Sequence, residues 1–304
     1  MKRLIIVYNP RSSHYKRVQT EVLAKARKLK GWMIGKYEVV DTDVDDNAHR
    51  LAKIFRDNDL VISAGGDGTA NIAINGIMLS PAKNVRIGVL GMGNFNDAAR
   101  SFGWPKFEDI IKGDAREVWP LECRINRKHW RYGMCYFTIG MFAEACAVFD
   151  HPKTRKALQS GRRRTIFSLG VLIQWWLRQR RKHWLPRFVL GNSSDEFVEC
   201  PGVSDYMAVN SKTVARLMRG GKYFLQNESF LSYNGRMNKF FRLAWMMAQS
   251  ILRRIPGTES DYDCLAFPKP AKIMIQAEGE YKKLEGVERV EILKSKKPLL
   301  VVMK

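Results

Sequence analysis

The sequence predicts a two-domain α/β protein: an amino-terminal Rossmann-like domain built on a parallel sheet, and a carboxy-terminal β-sandwich-like domain. Over residues 1–117, short apolar runs with the character of buried strands alternate with helical patterns, which is typical of a parallel sheet flanked by helices. Over residues 118–297, the apolar runs are short and alternate with polar residues, as antiparallel strands do.

The first domain is predicted from strands that end at polar residues. The first strand, Leu4–Tyr8, is followed by Asn9, and the second strand ends near Thr42. Ligands of open α/β sheets bind at the carboxyl ends of the strands, so Asn9 and Thr42 are candidate binding residues. The predicted strands of this domain cover residues 4–8, 37–40, 59–64 and 85–90, and the predicted helices cover residues 15–29, 46–57 and 70–79.

The third predicted strand runs directly into a glycine-rich turn, and a helix follows. Glycines at a strand-to-helix turn allow a phosphate to approach the backbone, where N–H groups and the positive end of the helix attract it. The carboxylate of Asp67 adds a group that can hold Mg²⁺ or accept a hydroxyl proton. The alternative is a turn that requires glycine for its shape alone. The candidate phosphate-binding residues are Gly65, Gly66, Asp67, Gly68 and Thr69.

This turn resembles the nucleotide-binding signature shared by diacylglycerol kinases, sphingosine kinases and NAD kinases. Asn71 and the pair Asn75-Gly76 match the lipid-kinase branch, whereas Ile72 stands where that branch usually has Glu. The resemblance implies ATP and Mg²⁺ as cofactors. It also implies that a strand within residues 298–304 returns to the nucleotide-binding domain and completes it.

A second glycine turn, Gly91–Arg100, follows the fourth predicted strand and resembles the Gly-Thr-Gly-Asn-Asp-x-Ala-Arg segment of the same family. Met92 replaces the Thr and so lacks the hydroxyl that would contact a phosphate, and Phe95-Asn96 is an insertion. The alternative is a glycine-rich loop with a helix cap. The resemblance adds Gly91, Gly93 and Asn94 to the candidate nucleotide-binding residues.

The resemblance also implies metal-binding and catalytic acids. Asp97, and Glu122 at a position where the family often has Asp, are expected to join Asp67 in an acidic cluster that binds metal. Glu278-Gly279-Glu280 resembles an Asp-Gly-Glu segment whose acids are associated with the catalytic base; the alternative is a hairpin turn with solvated acids. A further metal motif of the family is degraded in Glu228–Ser232. The candidate catalytic residues are Asp67, Glu278 and Glu280.

Composition favours anionic partners. The net charge is +22, from 52 Lys and Arg against 30 Asp and Glu, which suits anionic lipid, phosphorylated ligands or nucleic acid. Because no aromatic-basic recognition motif accompanies the charge, nucleic acid is not an expected partner. Five scattered cysteines without C-x-x-C predict reduced thiols in the cytoplasm, and no apolar run has the length of a membrane span. We therefore expect a cytoplasmic protein that associates peripherally with the inner face of the membrane.

Two segments, Thr165–Trp184 and Met237–Arg254, combine helical length, clustered aromatic residues and terminal cations. In the first, Trp175-Trp176-Leu177 directly precedes the cation-rich residues 178–182. Basic amphipathic helices of this kind often lie on anionic membrane surfaces. The alternative is a pair of buried helices with solvated basic ends.

The sequence is most consistent with an ATP-dependent lipid kinase that transfers the γ-phosphate to a free hydroxyl of a membrane lipid, either diacylglycerol-like or sphingoid. The expected partners are this lipid substrate and an anionic membrane surface, and a homodimer is left open. Two alternatives remain. A lipid-binding pseudokinase without turnover is motivated by Ile72, Met92 and the degraded Glu228–Ser232 motif. A NAD kinase shares the first glycine turn but not the continuation after the second.

Overall fold

The computed structural model describes the chain except residues 13, 41–42, 94, 151–153, 155–163, 180–184, 194–195, 215–217, 221–224 and 237–238. The amino-terminal part of the chain, together with the last strand, β18 (Leu299–Val302), forms a six-stranded sheet with the strand order β2-β1-β3-β4-β18-β5. Neighbouring strands run parallel except at β5, which pairs antiparallel with β18. The strands are β1 (Lys2–Tyr8), β2 (Trp32–Glu38), β3 (Leu60–Gly65), β4 (Arg86–Gly91), β5 (Ala115–Val118) and β18 (Leu299–Val302).

Helices cover both faces of this sheet. The first, α1, consists of an α-helical turn (Tyr15–Arg17), a π-helical segment (Val18–Leu23) and a second α-helical turn (Ala24–Ala26). Asp43 caps the second helix, because its side chain accepts hydrogen bonds from the N–H groups of Asp45 and Asp46. The remaining helices of this part are α2 (Val44–Ala52), α3 (Asp67–Leu79), α4 (Asp97–Ser101) and α5 (Phe107–Lys112).

The central strands are buried on both faces, as expected for a parallel sheet covered by helices. Ile5 and Val61 face a core that includes residues of α2 and α3, whereas Leu4 and Ile62 face a second core that includes residues of α1 and α5. Alternate residues of one strand therefore belong to different cores, because side chains of a strand point to opposite faces in turn. Fully burying one such side chain stabilises the fold by roughly 1.5–3 kcal/mol.

The second part of the chain forms a ten-stranded, mainly antiparallel sheet and a separate two-stranded ribbon, β12 with β13. The long strands β16 and β17 form its centre, and register shifts around Ala271 mark irregularities where strands commonly bend. The strands of the sheet are β6 (Leu121–Ile125), β7 (Lys128–Gly133), β8 (Tyr136–Gly140), β9 (Val189–Asn192), β10 (Phe197–Glu199), β11 (Asp205–Val209), β14 (Phe230–Gly235), β15 (Thr258–Ser260), β16 (Tyr262–Ala277) and β17 (Glu280–Lys294). The ribbon strands are β12 (Thr213–Val214) and β13 (Met218–Arg219), and the helices are α6 (Met141–Asp150), α7 (Arg164–Gln179) and α8 (Phe240–Leu252).

The predicted fold class agrees with this architecture, although several element boundaries differ. The second strand begins at Trp32 rather than at Tyr37. As the edge of the sheet it is mostly half-exposed, so its residues lack the continuous apolar run that marked the central strands. The helix predicted at 70–79 already begins at Asp67, which places the acidic residue of the first glycine turn in the first helical turn.

The last strand joins the two ends of the chain in one sheet. β18 lies between β4 and β5, with Leu300 opposite Arg86 on one side and Glu117 on the other. The first sheet therefore contains residues from the beginning and from the end of the chain. Long-range pairing of this type leaves no local sequence signal beyond the apolar run itself.

Candidate active site

The site is built on two glycine turns that touch each other. The first lies between β3 and α3, with Gly66 preceding the helix, and the second follows β4. A Cβ atom on Gly93 would overlap with the Cα of Gly66, and the N–H of Met92 donates to the carbonyl oxygen of Gly65 at 2.9 Å. Only residues without a side chain allow this approach, so the glycines at 66 and 93 are a packing requirement as well as a means of exposing backbone.

Asn96 closes the second turn. Its Oδ1 accepts the N–H of Gly93 and its Nδ2 donates to the carbonyl oxygen of Gly93, both at 2.7 Å. Its φ of 55° lies in the left-handed region, which Asn tolerates better than most residues. The insertion noted in the sequence thus supplies a side chain that stabilises the turn.

Asp67 lies where the two turns meet. Its Oδ1 accepts the N–H of Ala98 at 3.2 Å, so its carboxylate faces the amino end of α4. Desolvation and the neighbouring charge of Asp97 raise the pKa of Asp67 to about 6, although the N–H groups of residues 96–98 oppose this rise. A carboxylate that lies between two glycine turns and beside a second acid is suited to hold a cation, because a cation relieves the repulsion between the two acids.

The expected acidic cluster contains two of its three predicted members. Asp97 is buried next to Asp67, and its Oδ1 accepts the hydroxyl of Thr213 at 2.7 Å. Glu122 instead pairs with Arg124 at 2.7 Å and His129 at 3.3 Å. Burial raises the pKa of Glu122, but hydrogen bonds from His129 and Arg124 outweigh it and lower the pKa to about 2. Within the described part of the chain, no three His, Cys, Asp or Glu side chains form a group that could hold a metal ion.

Glu278 and Gly279 form the two-residue turn between β16 and β17, with Ala277 opposite Glu280. Both turn residues have positive φ, 51° and 96°, as in a type I′ hairpin turn. The backbone of this segment therefore forms the hairpin turn that the alternative interpretation predicted. Glu278 is not solvated, however, because it is 3% exposed and its Oε1 accepts the N–H of Cys135 at 2.5 Å. Burial and the charge of Asp67 raise the pKa of Glu278 to about 8, against the effect of the N–H of Cys135.

Glu280 is half-buried and points toward the first glycine turn. Its Oε1 lies 3.0 Å from the position that a Cβ atom on Gly68 would occupy. The hairpin of the second part of the chain thus places a carboxylate directly over the first glycine turn. The structure separates two acids that the sequence left equivalent: Glu280 reaches the turn, whereas Glu278 is enclosed beside Cys135.

Buried hydrogen bonds around this site join the amino-terminal part of the chain to the second part and also stabilise the second part internally. Asn75 of α3 donates to the carbonyl oxygen of Tyr132 at 2.9 Å and accepts the N–H of Tyr132 at 2.8 Å. Within the second part, Asn210 donates its N–H to the carbonyl oxygen of Cys135 at 2.7 Å and accepts a hydrogen bond from Lys294, whose pKa desolvation lowers to about 7. Asn75 carried a signal in the family resemblance, whereas Asn210 and Lys294 carried none in the sequence analysis.

The remaining predicted residues are partly described. Asn9 accepts the N–H of Arg11 at 2.8 Å and so shapes the turn after β1. Thr42 and Asn94 lie outside the described residues. Thr69 is buried beside Gly65, where a Cβ atom would overlap with its hydroxyl. Among the helices that the structure describes, none combines the length and apolar character needed to cross a membrane.

Comparison with known proteins connects this geometry to a family. Residues 3–120 match the family model of the diacylglycerol kinase catalytic domain. The diacylglycerol kinase of Bacillus subtilis (strain 168) is 39% identical over 116 residues, which cover 37% of this chain and 36% of the relative. That of Staphylococcus carnosus (strain TM300) is 38% identical over 113 residues, which cover 36% of this chain and 35% of the relative. The chain therefore spans about a third of the length of these curated relatives in sequence.

A solved structure extends the likeness in fold beyond the matched sequence. A diacylglycerol kinase from Bacillus anthracis str. Sterne superposes with a TM-score of 0.67 at 15% identity, covering 100% of this chain and 97% of that chain. The predicted fold class is confirmed by this likeness, and the family resemblance is confirmed by the match of residues 3–120.

Proposed function

We propose, from the match of residues 3–120 to the family model of the diacylglycerol kinase catalytic domain, that the protein is an ATP-dependent kinase of a membrane lipid. The γ-phosphate would pass to a free hydroxyl of a diacylglycerol-like or sphingoid lipid. The observation that carries the proposal is Glu280, a carboxylate supplied by the second part of the chain and held over the glycine turn of the first. Phosphoryl transfer needs positioned phosphates and a group that orients or deprotonates the attacking hydroxyl.

The two glycine turns support nucleotide binding. The first helical turn of α3 presents backbone N–H groups and a positive dipole end, which favour a phosphate. A side chain at residue 68 would meet Glu280, so glycine at this position keeps the space between the turn and the carboxylate open. Phosphate, turn and acceptor carboxylate would therefore lie within one cleft.

The donor set fits Mg²⁺ that is shared with a nucleotide. Asp67 and Asp97 would hold the ion together with phosphate oxygens and water, since two carboxylates are a usual protein share of an Mg²⁺ site. When bound, the ion neutralises charge on the phosphate oxygens. Asp67 remains the principal candidate, because Asp97 also accepts the hydroxyl of Thr213 and is almost fully buried.

Glu280 is the proposed proton acceptor, and Glu278 positions the hairpin. Glu280 is partly exposed beside Gly68, whereas Glu278 is enclosed and holds the backbone of Cys135. The departures from the family pattern at Ile72 and Met92 are both buried core residues. Because they pack rather than face the cleft, they weaken the argument for a pseudokinase. The NAD kinase alternative gains no support from the second glycine turn.

The test measures transfer of label from [γ-³²P]ATP, with Mg²⁺, to diacylglycerol or a sphingoid base in phospholipid vesicles. We expect a labelled lipid from the wild type, and loss of turnover by at least about a hundredfold in Glu280→Gln and Asp67→Asn. Glu278→Gln should retain most of the turnover. Glu285→Gln, on the exposed face of β17, is the matched control.

Three results would contradict these assignments. Label transferred to NAD, which is supplied in a parallel reaction, but to no lipid would favour a NAD kinase. Nucleotide binding without any labelled product would favour the pseudokinase. Full activity of Glu280→Gln would place the proton acceptor elsewhere.

A further inference from the structure

α8 exposes large apolar side chains to solvent. The exposed fractions are 84% for Phe241, 60% for Phe240, 56% for Trp245 and 73% for Leu252. The opposite side of the helix is also apolar, since Met246 is completely buried in the core. A surface helix normally turns polar residues to water, so a helix that is apolar on both sides indicates a second contact surface.

α7 extends this surface. The ring of its Trp176 lies 5.9 Å from the ring of Phe240, and its neighbours Ile173 and Leu177 are half-exposed. The two helices thus present one continuous apolar area, which we name the apolar platform. It consists of Ile173, Leu177, Phe240, Phe241, Trp245 and Leu252.

The charged side chains of the two helices themselves have one sign. Residues 164–179 and 239–254 contain no Asp or Glu. Exposed cations on or beside α7 and α8 are Arg178, Lys239, Arg242, Arg253 and Arg254. Aromatic and aliphatic side chains bordered by cations without acids match the interfacial region of an anionic bilayer, in which apolar groups enter the acyl boundary and cations contact phosphates.

The platform is linked to the candidate active site by direct contacts. The guanidinium of Arg219 donates to the carbonyl oxygen of Leu252 at 3.4 Å, and the N–H of Ile255 donates to the carbonyl oxygen of Arg219 at 2.8 Å. Arg219 pairs with Thr213 in the ribbon β12–β13. The hydroxyl of Thr213 in turn contacts Asp97. The end of α8 is therefore connected to Asp97 through only two intervening residues, Arg219 and Thr213.

We propose that the apolar platform inserts into the surface of a bilayer containing anionic phospholipid and holds the active site at that surface. This inference rests on the proposed lipid-kinase function for its purpose, because the substrate stays in the bilayer. Of the two helices that the sequence offered as membrane contacts, α8 supplies most of the exposed apolar side chains. Trp176 packs inside the protein, and residues 180–182, the cations emphasised by the sequence, lie outside the described residues.

The test compares sedimentation with phosphatidylcholine vesicles that contain or lack phosphatidylglycerol, in the absence of ATP. The wild type should sediment with the anionic vesicles, and brominated lipid should quench tryptophan fluorescence. The double variant Phe241→Ser/Trp245→Ser should bind about a hundredfold more weakly, because two large apolar side chains no longer leave water. The matched control is Phe197→Ser/Val198→Ser on β10, which removes apolar side chains that are 60% and 61% exposed outside the platform and should bind as the wild type does.

The outcomes separate docking from catalysis. Equal vesicle binding by the platform variant and the wild type, with matching melting temperatures, would overturn the proposal. A wild type that forms a dimer dependent on Phe241 and ignores anionic vesicles would overturn it as well, since the platform would then cover a second copy. Vesicle binding that depends on Phe241 without any phosphorylation of lipid would leave the docking surface intact and contradict the proposed kinase function instead.

Discussion

Replacing Glu278 by Gln should stabilise the protein while leaving most of its turnover intact. Glu278 is enclosed in the turn between β16 and β17, and its Oε1 accepts the N–H of Cys135. Gln keeps the shape and an oxygen that can accept this hydrogen bond. It removes the charge, which burial and Asp67 disfavour. The expected effect on stability therefore depends on pH, unlike that of an ordinary packing change.

The magnitude follows from the rise of the Glu278 pKa from 4.5 to about 8. Below pH 4.5 the group is protonated in both the folded and unfolded states, so it contributes no difference. Between pH 4.5 and 8 the unfolded chain releases the proton while the folded protein keeps it, so the free energy of unfolding falls by about 1.4 kcal/mol per pH unit. The total loss is about 5 kcal/mol above pH 8, and about 3 kcal/mol is already lost at pH 7.

Urea denaturation of wild type and Glu278→Gln between pH 4 and pH 9, with EDTA and without nucleotide, measures this difference. We expect similar stabilities near pH 4 and a growing advantage of the variant up to about pH 8. Glu285→Gln is the control, because its side chain is 59% exposed and surface substitutions change stability by about 0.5 kcal/mol or less. A constant difference between wild type and Glu278→Gln across this range would refute the assignment of Glu278 as a buried acid with a raised pKa.

Three further predictions concern the packing of two glycines and one ion pair. Gly93→Ala should destabilise the fold by roughly 1–3 kcal/mol and weaken ATP binding, because its Cβ would overlap with Gly66; unchanged melting and nucleotide titration would contradict the contact between the two turns. Gly170→Ala, in α7 with no atom near its Cβ position, should instead raise stability by about 0.5–1 kcal/mol in the same melting assay. Asp45→Asn should cost about 2 kcal/mol in urea denaturation, because the nearly buried Arg131 donates two hydrogen bonds, at 2.7 and 2.9 Å, to one Asp45 oxygen; a loss below about 0.5 kcal/mol would show that this interdomain ion pair contributes little.

Local patterns in the sequence were sufficient for the class of the fold and for the two glycine turns. Buried parallel strands appear as continuous apolar runs, and each turn is read from adjacent residues. The edge strand β2 and the start of α3 were less well predicted. At those positions the apolar pattern is weak, or the helix begins inside the turn itself.

The roles of the acids required the tertiary structure. Glu278 and Glu280 are equivalent in the sequence, but the hairpin encloses one beside Cys135 and places the other over Gly68. Glu122 was expected beside Asp67, but its carboxylate instead pairs with the side chains of Arg124 and His129. The contacts of Glu278 and Glu280 join residues far apart in the chain, which no local window contains. Those of Glu122 lie within eight residues of sequence, but they depend on the pairing of β6 with β7.

The sequence by itself determined which residue types stand at the ends of the strands, because strand and helix periodicity and glycine turns are properties of neighbouring residues. Tertiary structure alone decided which acid is buried, which acid reaches the first glycine turn, and which side of α8 remains exposed. Burial raises the pKa of Glu278. Because Met246 packs into the core, the side of α8 that carries Phe241 faces water. Both effects arise from the environment that distant segments create, and the composition of a helix or hairpin does not specify that environment.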